Sequence, residues 1–229
     1  MFSTKITDIF FDLDHTLWDF DVNSELAFNT IFKKNHPTIE IKNFIEKYAP
    51  INQACWKLYQ YDKITHEELR YNRLKHTFDA LEYEVSDAQI DSIATDYIQL
   101  LPENNRLFDG TIEVLEYLQK KYKLHIITNG FADVQHKKIN NSNIAGFFKT
   151  VTNSELAGVK KPNRIIYEYA LNQAEAKKES SIMIGDCLEA DVQGALDAGL
   201  DAIFFNDKNI QVDQNIKQVT YLLELKKYL

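Results

Sequence analysis

The feature that most narrows what this chain can fold into is the regular alternation that begins after Pro102 and runs to the C-terminus. Short apolar runs at 124–128, 148–151, 181–184 and 202–205 are separated by amphipathic stretches at 110–121, 132–140, 163–172 and 190–198, and a last helical pattern falls at 221–228. Parallel strands need a long crossover between them, and a helix is the usual form of that crossover, so the pattern predicts a doubly wound parallel α/β sheet. One more strand, 6–11, opens the chain; it is short and rich in β-branched and aromatic residues, as expected of a strand buried on both faces.

The stretch between that strand and Pro102 has a different period. Residues 24–34, 51–61, 66–81 and 86–100 carry apolar side chains at helical spacing with no strand signal between them. The organisation predicted is therefore an α/β domain of residues 1–17 and 105–229, with a small all-helical domain, 18–104, inserted after the first strand. A chain of 229 residues that is 45% hydrophobic can bury cores of that size.

Charge excludes several classes of partner. The formal net charge of -8 would repel nucleic-acid polymers and anionic membranes over most of the surface. A small phosphorylated metabolite stays compatible, because one cation and one lysine invert the potential locally. The two cysteines, Cys55 and Cys187, stand far apart and in no CxxC arrangement, so neither a disulfide framework nor a thiolate zinc site is expected. With an N-terminal apolar run too brief for a signal peptide or a bilayer span, the expectation is a cytoplasmic enzyme, monomer or homodimer.

Four clusters fall at the C-terminal ends of separate strands: Asp12-Leu13-Asp14-His15-Thr16, Thr128-Asn129-Gly130, Lys161-Pro162, and Gly185-Asp186 followed by Asp191. Parallel strands present those ends along one edge, where open α/β sheets bind their ligands. Several carboxylates brought together repel unless a hard cation lies among them, and an all-oxygen set suits Mg²⁺. Asp12 and Asp14, two apart on a strand end, face the same side. One can attack phosphorus while the other moves a proton, splitting one hydrolysis into two displacements. Lys161 would balance charge, and Thr128 and the backbone around Asn129 would donate to phosphoryl oxygens.

The order DxDxT, TN, KP and GDxxxxD resembles the four motifs of the haloacid-dehalogenase-like (HAD) superfamily, over residues 12–191. The resemblance implies a Rossmann-type core and a helical cap that closes over the site, with hinges at 16–20 and 101–109. It implies Asp12 as nucleophile and magnesium ligand, Asp14 as general acid/base and backbone-carbonyl ligand, and Asp186 as the remaining metal carboxylate. Thr128, Asn129 and Lys161 would hold phosphate, with Asp191 and Thr16 behind them. Asp14 favours phosphate chemistry, since the dehalogenase branch lacks that second acid. The text DLDHTLWDF, the surroundings of Trp56, Ile64-Thr65 and Arg73, and TNGFADVQ are most similar to the pyrimidine 5′-nucleotidase group. A Mg²⁺-dependent phosphomonoester hydrolase acting on a nucleoside 5′-monophosphate is thus expected. The alternatives are a sugar-phosphate phosphatase, a phosphomutase, or a non-catalytic binding module on the same fold.

Other residues carry weaker expectations. His15 replaces the glycine most superfamily members have and could gate the substrate; Trp18 and Phe20 could wall a nucleobase. Trp56, Tyr59 and Tyr61 suit the core of the helical insertion. His66, His76, His125 and His136 are expected at surfaces or helix ends. Cys55 is expected to be buried and inert, and Cys187, beside Asp186, could be a site of inhibitory oxidation.

Overall fold

A computed structural model describes residues 5–35 and 38–229. Its contacts divide the chain into two compact units, 1–19 with 105–229, and 20–104.

The first unit is built on six parallel strands in the order β3-β2-β1-β4-β5-β6: β1 (Asp8–Phe11), β2 (Lys123–Thr128), β3 (Phe148–Asn153), β4 (Ser181–Gly185), β5 (Asp201–Phe205) and β6 (Gln218–Val219). The central strand β1 is buried along its whole length, pairing Phe10 with His125 on one side and Met183 on the other. Phe10, Ile127, Met183 and Phe204 form one core with Ile166, Tyr167, Ala195 and Ala198. Because all strands run the same way, Asp12, Thr128 and Asp186 lie at one edge of the sheet, at the ends of β1, β2 and β4.

The second unit holds α1 (Phe20–Asn35), α2 (Ile41–Gln60), α3 (His66–Ala80) and α4 (Asp87–Leu100). Side chains stop the free N–H groups at two of these starts: Thr65 with Glu68 and Ser86 with Gln89 each form a reciprocal capping box. The helices bury a cluster of rings, with Phe28 stacked on Tyr97 at 4.3 Å and Phe44 edge-on to Phe32 at 4.7 Å. The residues expected to fill this core do not: Trp56 and Tyr59 are half-buried, and Tyr61 is exposed. The cause is that α2 begins ten residues earlier than its sequence start at 51 and runs through Pro50. Burial of Phe44 and Tyr48 on the first half outweighs the lost hydrogen bond, and the inward face is set there.

In the first unit the connecting helices are α5 (Thr111–Leu118), α6 (Ala132–Asn141), α7 (Ser154–Ala157), α8 (Arg164–Ala174) and α9 (Gly194–Ala198). Two expectations need correction here. The segment predicted as a helix from 190 enters by a π-helical turn at Leu188–Gln193, and the final helix is 3-10, at Leu222–Lys227. No helix among the described residues is long and apolar enough to cross a membrane.

Candidate active site

Asp12 follows the last residue of β1 and is 8% exposed. Its Oδ1 accepts from Lys161 Nζ at 2.7 Å. Lys161 spends its other two hydrogens inside the protein as well, on the Ile127 carbonyl at 2.9 Å and Asp191 Oδ1 at 2.6 Å. Asp191 Oδ2 in turn accepts the Cys187 N–H at 3.0 Å. That close approach requires Gly185, where a Cβ would lie 2.3 Å from the Asp191 carboxylate.

Carboxylate oxygens of Asp12, Asp186 and Asp191 lie within 4.8 Å of one another. The electrostatic consequence is severe. Burial, with Asp191 and Asp14 opposing the attraction of Lys161, raises Asp12 to about 7. Burial together with Asp12 and Asp191 holds Asp186 well above the usual carboxylate range. Burial disfavours the Lys161 ammonium, but Asp12 and Asp191 outweigh it and raise its pKa. Asp14, Asp12, Asp191 and Asp186 face two ammonium groups, Lys161 and Lys138, which leaves a formal excess of two negative charges. A hard divalent cation fits this all-oxygen set and that excess.

On the β2 side, Thr128 Oγ1 accepts from Gly130 N at 3.1 Å and from Gln135 Nε2 at 2.7 Å, leaving its own O–H as a donor. Gly130 is also a position of close approach, since a Cβ there would meet the Gln135 side chain at 2.4 Å. Asn129 follows Thr128 at the end of β2. Its amide is spent gripping the Lys161 backbone, giving Nδ2 to the carbonyl at 3.0 Å and accepting the N–H on Oδ1 at 2.7 Å. It aligns two loops.

A sequence model of the family described as haloacid dehalogenase-like hydrolase matches residues 8–199. The chain belongs to this family. Among its curated HAD relatives, the pyrimidine 5′-nucleotidase PynA of Streptococcus pneumoniae is 32% identical over 89% of this chain and 85% of that protein. Pyrimidine 5′-nucleotidase YjjG of Escherichia coli is 31% identical over 86% of this chain and 85% of that protein. The HAD-hydrolase YfnB of Bacillus subtilis, in a crystal form bound to magnesium that reveals interdomain movement, superposes with a TM-score of 0.88 and 28% identity, covering 99% of each chain.

The remaining predicted residues of this HAD chain are placed as follows. Thr16 is buried, with Oγ1 3.4 Å from Asp186 Oδ1. His15 has φ 61, in the left-handed region, which accounts for the glycine expected at this place in the superfamily. Trp18 is fully buried, with Lys138 Nζ 4.3 Å from its ring centroid. Phe20 is buried at the start of α1. Burial pushes the Cys187 thiol up to about 11, with Asp191 adding to it, so the reactive thiolate that oxidation requires is disfavoured.

Sequence reasoning missed Gln135 and Lys138, both on α6 and both buried. Lys138 Nζ donates to Asp14 Oδ1 at 2.6 Å, and Gln135 Nε2 to Asp14 Oδ2 at 3.0 Å. A signal existed: the buried stripe of α6 is Val134, Gln135, Lys138 and Ile139, so two polar residues occupy core positions directly after the Thr128 turn.

Proposed function

We infer that this HAD hydrolase is a phosphatase cleaving small phosphomonoesters through a phosphorylated Asp12, with nucleoside 5′-monophosphates as its substrates. One observation carries the chemistry: Asp12 stands at the strand end with one oxygen on Lys161, among carboxylates whose charge a divalent cation would offset. Asp12 and Asp186, with the Asp14 backbone carbonyl, would hold Mg²⁺, which supplies neutralisation of the phosphoryl oxygens as charge develops on them.

In the first displacement the oxygen of Asp12 not bound to Lys161 attacks phosphorus. The ester P–O bond breaks, and its electron pair goes to the leaving oxygen, which takes a proton from Asp14. In the second, Asp14 takes a proton from water as the water oxygen bonds to phosphorus, and the Asp12 oxygen leaves. Phosphate and the alcohol are the products, and both acids return to their starting states. Thr128 donates its hydroxyl to an equatorial oxygen, and Lys161 favours the ionised form of Asp12 against burial and aims its carboxylate.

Similarity to PynA and YjjG over most of the chain supports the nucleotide substrate, and YfnB, bound to magnesium, supports the metal. The test is phosphate release from a panel of nucleoside and sugar monophosphates with and without Mg²⁺. Faster release from pyrimidine 5′-monophosphates than from sugar phosphates is expected. Faster turnover of sugar phosphates would remove the nucleotidase assignment, and transfer between sugar positions without free phosphate would make the enzyme a mutase.

A further inference from the structure

Outside the four motifs, one helix face grips the proton-handling carboxylate. Both oxygens of Asp14 are held from α6, Oδ1 by Lys138 at 2.6 Å and Oδ2 by Gln135 at 3.0 Å. The Gln135 amide must present its nitrogen, because the reverse orientation would set one oxygen against another; the same nitrogen reaches Thr128 at 2.7 Å and so joins two motifs. The Lys138 ammonium lies 4.3 Å from the centroid of Trp18. Trp18 belongs to the same turn as Asp14, fixed by the bonds His15 N to Trp18 O and Trp18 N to Leu13 O, each 2.9 Å. Acid and brace are therefore built on one loop, and the lysine spans them.

Exposure separates the roles. The Asp14 side chain is 23% exposed and open to a reacting group, whereas that of Lys138 is 3% exposed and lies behind it. We propose that Lys138 is a positioning residue, which with Gln135 and the Trp18 ring holds the Asp14 carboxylate where it can exchange a proton with the leaving group. An unclamped aspartate samples several rotamers, and misplacing a proton donor by an ångström is enough to lose most of its effect.

This proposal rests on the phosphomonoester reading, and a leaving-group series tests it. A proton donor matters when the departing oxygen is strongly basic and hardly at all when it leaves as p-nitrophenolate. Wild type, Lys138→Met and Lys138→Arg are assayed with Mg²⁺ on p-nitrophenyl phosphate and benzyl phosphate. For Lys138→Met, kcat on benzyl phosphate is expected to fall by about 10- to 100-fold, against about 3-fold or less on p-nitrophenyl phosphate, with KM nearly constant. Lys138→Arg, which retains a cation over Trp18, should recover most of the benzyl phosphate activity.

Equal losses on both esters, or a rise in KM with kcat intact, would overturn the positioning role in favour of a structural or substrate-binding one. If Lys138→Met does not fold, Lys138→Gln carries the same expectation and the same refutation. A wild-type protein that hydrolyses neither ester defeats the phosphatase reading and this inference together; one that hydrolyses both while the variants lose them equally defeats only the inference.

Discussion

The two ends of the same sheet both bury charged groups, and they do so in opposite ways. At the strand N-termini, Asp8 Oδ1 meets His125 Nε2 at 3.2 Å, His125 Nδ1 meets Thr150 Oγ1 at 2.8 Å, and Thr7 Oγ1 donates to Asp8 Oδ2 at 2.6 Å. One acid, one imidazole stacked on Phe10 and two hydroxyls satisfy one another. At the C-termini, the carboxylates outnumber the ammonium groups, and burial with mutual repulsion pushes Asp12 and Asp186 up. A closed buried network contributes to folding, while an unbalanced one is what a cation-binding site requires.

The sharpest way to break that comparison is a pair of isosteric changes, one at each end. Asp12→Asn should lower turnover with Mg²⁺ by at least about 10⁴-fold, roughly 5.5 kcal/mol of barrier, with no loss of thermal stability. Asp8→Asn should leave turnover within about 2-fold and lower stability by about 1–3 kcal/mol. Comparable losses of activity in the two variants would show that both ends serve catalysis.

Next in size is Lys161→Met. Removing one partner of a buried ion pair strands the others, at a cost of about 3–5 kcal/mol, so melting should fall by roughly 10 °C at pH 8. At pH 5 the stranded acids take up protons and the loss should shrink. A pH-independent loss would mean that Lys161 acts by packing rather than charge.

The smallest effect concerns pH and metal together, and the two ends should have opposite slopes. Asp12 rises from 3.8 to about 7 on folding, so the folded state holds more protons in that window. Stability of the metal-free protein should then fall as pH rises from about 4 to 7 through this group. For His125, burial lowers the pKa from 6.5 against the pull of Asp8, so its contribution is present above 6.5 and lost as pH falls. Mg²⁺ near 10 mM should raise the melting temperature by about 3 °C at pH 8 and hardly at all at pH 5, as expected for a millimolar site. Equal stabilisation at both pH values would place the ion away from Asp12 and Asp186.

Legibility in the sequence followed the kind of information each residue carries. Asp12, Thr128 and Asp186 were visible because each stands at a strand end, and parallel topology brings strand ends together whatever the side chains do, whereas Lys161, expected at a strand end too, lies beyond α7 in the turn before α8. His125 was expected at a surface, yet it is fully buried. Its pattern is that of an apolar strand, and only the chance to pair across with Asp8 and Thr150 makes an imidazole tolerable there. The start of α2, expected at 51, differs for the complementary reason: at Pro50 a local breaker gives way to packing of Phe44 and Tyr48, which the local sequence does not reveal.

Alternation of strand and helix was enough by itself to determine a parallel sheet and the edge of it where the acidic motifs gather. Tertiary structure alone decided that Lys138 and Gln135 close on Asp14, that Asn129 grips the Lys161 backbone, and that Trp18 lies beneath an ammonium. Periodicity states which face of a helix turns inward. Which inward polar group meets which partner depends on the rotation and height of that helix against its strand, set by close approaches such as Gln135 over Gly130.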